Sequence, residues 1–231
     1  MVVAWAAGGF LLGQVVATAL VALAAAAAGY VGGLSALAHA SQDPWWASVA
    51  SLLGLWCGFA AAIVAARRLA GQEPWPAQWR PRASDAWYLV VGVVAQYAIA
   101  AAYRPFHVRD LGQPVTRLFG ATGGVGFALL VGLTALGAPV IEEWFFRGVL
   151  LRALADLGAR TGRLGVVLAI VLSAVAFALA HGEPAQFAGL AALGVVLALI
   201  AWRTRRLVPS ALTHLSFNAV AVGAVIAQRL H

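Results

Sequence analysis

Long apolar runs without a charged side chain constrain this sequence more than any other feature. Met1 to Gln42 contains no Asp, Glu or Arg. Further neutral runs follow at Pro44 to Ala66, Ala86 to Tyr103, Leu118 to Ile141, Leu164 to Gly182, Pro184 to Trp202 and Leu207 to Gln228. Because a membrane-spanning helix needs about 20 mostly apolar residues, these runs predict an all-α, polytopic membrane helix bundle with about 6–8 transmembrane helices.

The composition favours the same class of protein. Hydrophobic residues make up 63% of the 231 residues and charged residues only 10%, whereas charged residues make up about 25% of a soluble domain. This hydrophobicity excludes a disordered chain, and a single cysteine, Cys57, excludes a disulfide scaffold. Because Cys57 lies in an apolar run, we expect it to be a small buried residue.

The basic residues follow the apolar runs. The net charge of +7 comes from arginines alone, since the chain has no lysine. They stand between the runs and form no single patch, so we predict loop anchoring at a lipid bilayer and no nucleic-acid partner. The Arg67–Asp85 loop is predicted to be cytoplasmic. Five acids are predicted to be loop or interface charges: Asp43, Glu73, Asp85, Asp110 and Asp156.

No sequence repeat and no Pro- or Ser-rich linker divides the chain. We therefore predict one membrane domain over residues 1–231, with N-terminal helices that lack a recognised motif at 1–117 and catalytic core helices at 118–231. The first run exceeds one span and is predicted to form one tilted helix with a loop near Ser41. The number of crossings within 103–160 stays open, and its glycines and Pro139 predict a kink or a re-entrant turn.

Two adjacent acids interrupt the apolar sequence at Glu142 and Glu143. Ionisable residues inside spans are costly and mark function. Neighbouring helical residues point about 100° apart, so the two acids are predicted to have different roles. Glu143 and Arg147 have the i,i+4 spacing of an ion pair. Glu142 lacks such a partner and is the better candidate for a general base. A structural ion network is the alternative interpretation.

Two further polar groups interrupt the runs in the C-terminal half of the chain. His181 ends a long apolar helix, and His214 lies on one helical face with Asn218 in an otherwise apolar segment. Because an imidazole or amide is costly in lipid unless it is hydrogen-bonded, this face is predicted to point into the bundle. Interfacial or helix-packing hydrogen bonds are the alternative.

These groups permit two mechanisms of peptide hydrolysis. In the first, Glu142 and His181 activate a water molecule, while His214 and Asn218 donate hydrogen bonds to the oxyanion. In the second, Glu142, His181 and His214 hold Zn²⁺, which acidifies the water. The sequence lacks the His-Glu-x-x-His spacing typical of zinc proteases. The cofactor is therefore left open between Zn²⁺ and none.

Three motifs stand in order: Glu142-Glu143-x-x-x-Arg147, Phe177-x-x-x-His181 and His214-x-x-x-Asn218. Over residues 137–218 the sequence resembles the CPBP family of intramembrane endopeptidases, which includes CAAX prenyl proteases and bacteriocin-processing enzymes. The resemblance implies a membrane protease that cleaves a membrane-associated or lipidated protein or peptide.

The resemblance also implies a role for each motif residue. Glu142 would be the base and His181 its catalytic partner. His214 and Asn218 would donate to the oxyanion, and Glu143 with Arg147 would be a supporting or substrate-binding pair.

Two other functions remain as alternatives. One is a catalytically silent membrane immunity or scaffold protein of the same fold. The other is a small transporter or ion pathway, which intramembrane acids and histidines also favour. The sequence shows none of the internal repeats that are frequent in transporters.

Overall fold

A computed structural model describes residues 2–30, 33–39, 43–70, 79–109, 111–119 and 122–230. Every regular element within these ranges is helical, which confirms the predicted all-α class. The α-helices are α1 Val2–Ala27, α2 Gly33–Ala38, α3 Trp45–Ala70, α4 Trp87–Tyr103, α5 Gln113–Phe119, α6 Gly124–Leu157, α7 Arg163–Ala180, α8 Phe187–Thr204 and α9 Val208–Leu230. Short 3₁₀ turns lie at Ala83–Ala86, Arg104–Phe106, Ala159–Thr161 and Pro184–Gln186.

Seven of the described helices are long and apolar enough to cross a bilayer: α1, α3, α4, α6, α7, α8 and α9. The predicted multi-pass membrane bundle is confirmed. The first neutral run contains one such helix, which ends at Ala27. The expected loop near Ser41 lies outside the described residues, as do residues 71–78 of the loop predicted to be cytoplasmic.

Helix α6 carries the acidic motif through the middle of a span. It runs unbroken for 34 residues, so among the described residues one candidate span lies between Tyr103 and Arg160. Two stretches of it are π-helical, Leu133–Gly137 and Trp144–Leu150. Pro139 lacks an N–H and its ring crowds the preceding turn. The wider π turn just before Pro139 accommodates the ring, and the helix continues.

The first two spans pack closely through small residues. Glycines spaced four apart lie at this contact, Gly9 and Gly13 on α1 and Gly54 and Gly58 on α3. Gly58 faces Gly9 and Gly13, and Gly54 faces Ala17. A methyl group on Gly58 would collide with the backbone of α1. Such spacing lets two membrane helices approach closely. The pair then packs on α6, where the rings of Phe59 and Phe145 stack with centroids 4.1 Å apart.

Two expectations from the sequence are wrong. Cys57 is exposed on α3, because apolar residues of a membrane bundle face lipid as well as the core. Asp85 is buried, with 3% of its surface exposed. Its carboxylate accepts hydrogen bonds from Arg206 at 2.7 and 2.5 Å and from the Arg82 amide at 2.7 Å. Arg206 lies 121 residues away in sequence, so the residues around Asp85 give no sign of this ion pair.

Candidate active site

The two adjacent acids lie in a buried α-helical turn of α6, Ala138–Glu143, between the two π-helical stretches. Glu142 retains 8% exposure and Glu143 none. Because a buried carboxylate is costly without compensating partners, each must be matched by polar groups from other helices. The partners of the two acids differ.

Glu143 forms an ion pair with Arg147, one helical turn further along α6. Arg147 Nη1 donates to Glu143 Oε1 at 2.8 Å, and both side chains are fully buried. Arg147 Nη2 also donates to the Gly194 carbonyl of α8 at 3.2 Å, and the guanidinium lies 4.5 Å from the ring centroid of Phe177 on α7. The pair expected from the i,i+4 spacing therefore joins α6 to α7 and α8.

His181 follows the last residue of α7 and faces Glu142. Its Nδ1 lies 2.8 Å from the Phe177 carbonyl. Since a carbonyl only accepts hydrogen bonds, Nδ1 carries the proton and donates. In the neutral ring, Nε2 then has a free lone pair, and it lies 4.0 Å from Glu142 Oε2. The side chain of His181 is 30% exposed, so this end of the cluster is open.

The imidazole of His214 on α9 lies between the two acids. Its Nδ1 lies 3.3 Å from Glu143 Oε1 and its Nε2 lies 4.0 Å from Glu142 Oε2, with 2% of the side chain exposed. Because Glu143 is paired with Arg147, its carboxylate is the acceptor and His214 Nδ1 is the donor. Each acid therefore faces a different nitrogen of the same imidazole ring. The sequence did not indicate this arrangement.

Glu142 Oε2 is the point at which these groups converge. It lies 4.0 Å from Nε2 of both His181 and His214, which is too far for a direct hydrogen bond. Among the described residues this buried oxygen has no hydrogen-bond partner. The site therefore presents one carboxylate oxygen and two imidazole nitrogens to a common small volume.

Phe177 is a site residue to which the sequence assigned no role beyond marking a motif. Its ring is fully buried and packs edge-on against His181 and His214, with centroids 4.7 and 5.5 Å away. The ring of Phe177 also contacts the Arg147 guanidinium. The i,i+4 spacing to His181 was the available signal, because it places both side chains on one face of α7.

Asn218 lies one turn beyond His214 on α9. Its Nδ2 donates to the Thr134 carbonyl at 3.0 Å, and Thr134 belongs to the first π-helical stretch of α6. One N–H of the amide is occupied in this way, and the second has no hydrogen-bond partner among the described residues. Among the described residues, the other five predicted site residues lie in contact with one another: Glu142, Glu143, Arg147, His181 and His214. Asn218 lies beside them and is held by its hydrogen bond to Thr134 of α6.

The side chains of the cluster include types that can bind a metal ion. Two imidazoles and a carboxylate are ligands that Zn²⁺ accepts, at about 2.0–2.2 Å each. The described residues nevertheless include no group of three His, Cys, Asp or Glu side chains placed to hold a metal. The 4.0 Å separations are also wider than a tetrahedral set at those bond lengths, about 3.4 Å. The geometry of these residues does not fit the ion.

Residues 124–220 match the family model described as type II CAAX prenyl endopeptidase Rce1-like. The resemblance to the CAAX protease family is confirmed. The CAAX protease match begins at the first residue of α6 and ends within α9, so it contains every predicted site residue. The first three spans lie outside it. No curated protein and no solved structure matches the chain.

Proposed function

We propose that this protein is an intramembrane endopeptidase that uses Glu142 as its general base. One observation carries the proposal: Glu142 Oε2, buried and without a hydrogen-bond partner among the described residues, faces two histidine nitrogens at 4.0 Å each. A purely structural ion pair brings its charged atoms into direct contact, as Glu143 Oε1 and Arg147 Nη1 do at 2.8 Å, although Glu143 Oε2 and Arg147 Nε also have no hydrogen-bond partner among the described residues. Glu142 is instead spaced for a molecule between it and the histidines.

The space between Glu142 and His181 suits the attacking water. A water that makes hydrogen bonds of about 2.8 Å to both groups across 4.0 Å subtends an angle of about 90°. The water transfers one proton to the Glu142 carboxylate. Its other O–H donates a hydrogen bond to the lone pair on His181 Nε2. Its oxygen lone pair is left free to attack the carbonyl carbon of the substrate.

His214 and Asn218 stabilise the charge that develops on the carbonyl oxygen. Asn218 donates from its second N–H, while Thr134 holds the first. His214 donates from Nε2 while Nδ1 stays bonded to Glu143, which requires a proton on both ring nitrogens. Each such donor lowers the barrier by about 3–4 kcal/mol in other hydrolases.

Collapse of the tetrahedral intermediate completes the reaction. The carbonyl double bond re-forms, the C–N bond breaks, and the proton held by Glu142 passes to the departing amine. The products are a carboxylic acid and an amine, so peptide and water are consumed in equal amounts. The Glu143–Arg147 pair takes no part in the proton transfers and positions His214.

The proposed substrate is a membrane-associated or lipidated peptide. The site lies within the span of α6, and its exposed member is His181 at the end of α7. The related family is described as one of prenyl endopeptidases, which favours a peptide attached to a lipid. Such an anchor holds the scissile bond at the bilayer and raises its local concentration.

Cleavage of quenched peptides by purified protein in nanodiscs tests the proposal. Wild type is compared with Glu142→Gln on lipidated and unlipidated hydrophobic peptides, with and without a zinc chelator. We expect Glu142→Gln to lower turnover by at least about 100-fold, since general bases contribute roughly 10²–10⁴-fold. We expect the chelator to leave the wild-type rate unchanged.

Glu183→Gln is the matched control, because Glu183 carries the same charge two residues after His181, at a 3₁₀ turn outside the cluster. It should retain near-normal turnover. Near-normal turnover by Glu142→Gln would overturn the proposal, and loss of activity with chelator would replace the proposed base mechanism with a metal mechanism. If wild type cleaves none of the peptides, the silent scaffold becomes the better interpretation.

A further inference from the structure

A polar cavity lies beside Arg147 at the C-terminal half of α6. It has a volume of about 480 Å³. Four arginines line it, Arg147, Arg152, Arg205 and Arg206, together with Asp156, Trp202 and apolar residues of α6 and α8. Glu142, His181 and His214 do not line it. The cavity therefore shares Arg147 with the Glu143 ion pair but contains none of the residues proposed to act on the peptide.

The cavity opens where α6 and α8 end and α9 begins. Helix α7 starts at Arg163, just after α6 ends, and reaches His181 at its other end. The cavity thus lies at the opposite membrane boundary from His181. Arg160, Arg163 and Arg203 stand at the same boundary, so this side of the bundle is strongly basic.

The cations of the cavity exceed the acids that face them. Arg147 is paired with Glu143 and Arg206 with Asp85. The hydrogen bonds that Arg206 donates to the Asp85 carboxylate raise the pKa of Arg206 above its ordinary value, so Arg206 stays charged. Asp156 attracts Arg152, whereas Arg205 repels it. Four cations therefore face three acids, and no described acid forms an ion pair with Arg205.

Arg205 is held in the cavity by an unusual backbone conformation. It ends α8 with φ of 54° and ψ of 28°, in the left-handed region that favours glycine. Its amide still bonds to the Ala201 carbonyl at 2.9 Å, which fixes the turn. Strained residues of this kind occur at ligand sites, where the surrounding structure maintains them.

We propose that this cavity binds the phosphate of an anionic phospholipid headgroup. Guanidinium groups match phosphate oxygens, and basic pockets between membrane helices bind anionic headgroups. The apolar wall favours a lipid over free phosphate, because an acyl chain continues along α6 and α8 while the phosphate sits among the arginines. Trp202, partly exposed at the rim, has the amphipathic ring typical of the membrane interface. The inference does not depend on proteolysis.

Native mass spectrometry of the full chain with phosphatidylglycerol, phosphatidylcholine or inorganic phosphate tests this. We expect wild type to retain phosphatidylglycerol in preference to phosphatidylcholine. Arg205→Gln should weaken phosphatidylglycerol binding by about fivefold, the loss expected for one arginine near an anionic headgroup. Arg203→Gln removes the same charge from an exposed residue outside the cavity and should leave binding unchanged.

Thermal unfolding in detergent gives a second readout. Phosphatidylglycerol should raise the unfolding temperature of wild type and Arg203→Gln more than that of Arg205→Gln. Equal effects of the two substitutions, or equal binding of both lipids, would overturn the proposal. Full displacement of the lipid by millimolar inorganic phosphate would assign the cavity to free phosphate and overturn the lipid assignment.

Discussion

His214 Nδ1 lies 3.3 Å from Glu143 Oε1, the same oxygen that accepts a hydrogen bond from Arg147 at 2.8 Å. One carboxylate oxygen therefore fixes a cation on its own helix and an imidazole on α9. Glu142, the next residue along the chain, faces the other nitrogen of that ring. The two acids differ in role because Glu143 has its partners in direct contact and Glu142 does not.

This difference predicts opposite effects of two isosteric substitutions. Glu143→Gln should lower the free energy of unfolding by roughly 3–5 kcal/mol, because it leaves buried Arg147 unpaired. Glu142→Gln should leave stability near wild type while abolishing cleavage. Thermal unfolding in detergent and peptide cleavage measure the two properties. Removing both charges, with Glu143→Gln and Arg147→Met, should recover part of the lost stability; no recovery would argue against the ion pair.

His181 offers a test of the proposed orientation of its ring. His181→Asn retains a side-chain donor that reaches the Phe177 carbonyl, but it removes the nitrogen that faces Glu142. We expect normal stability and a fall in turnover of roughly 10²–10⁴-fold, the range for a lost acid–base partner. His181→Gln places an amide near the position of Nε2, so its turnover should fall less than that of His181→Asn. Equal activity of wild type and His181→Asn would exclude a catalytic role for Nε2.

Phe177 is expected to position both histidines. Phe177→Leu keeps an apolar side chain but removes the ring that contacts His181, His214 and Arg147. Stability should fall by about 1–2 kcal/mol, since volume and aromatic contacts are both lost. Because the substrate does not touch this buried ring, the effect on cleavage should appear in kcat and not in KM. A change confined to KM would place Phe177 in substrate binding instead.

The sequence predicted one interaction within a helical turn, the i,i+4 pair of Glu143 and Arg147. The bond from His181 to the Phe177 carbonyl has the same spacing, but the sequence analysis did not predict it. The contacts of His214 with Glu143, 71 residues apart, and of Asp85 with Arg206, 121 residues apart, depend on how the helices pack. Periodicity carries no information on that packing in a membrane bundle, because lipid-facing and core-facing residues are equally apolar.

The packing that places His214 depends on Gly92. This glycine lies on α4 where it meets α9, and a Cβ there would collide with the Thr213 carbonyl and Ser216 Oγ. Since Thr213 also bonds to the Tyr88 carbonyl at 3.2 Å, α9 has little room to retreat. Gly92→Ala should therefore displace His214, the residue after Thr213. We expect a loss of about 1–3 kcal/mol in unfolding free energy.

The same displacement should lower cleavage more than it lowers stability. Misplacing a catalytic group by about 1 Å costs up to roughly 100-fold in rate. Gly132→Ala is the matched control, since a Cβ at Gly132 on α6 has no neighbour within 4 Å. In a helix that change is neutral or stabilises by up to about 1 kcal/mol. Unfolding temperature and peptide cleavage of both variants in nanodiscs measure the contrast. If Gly92→Ala behaved like Gly132→Ala in both assays, the close approach of α4 would not be what positions His214.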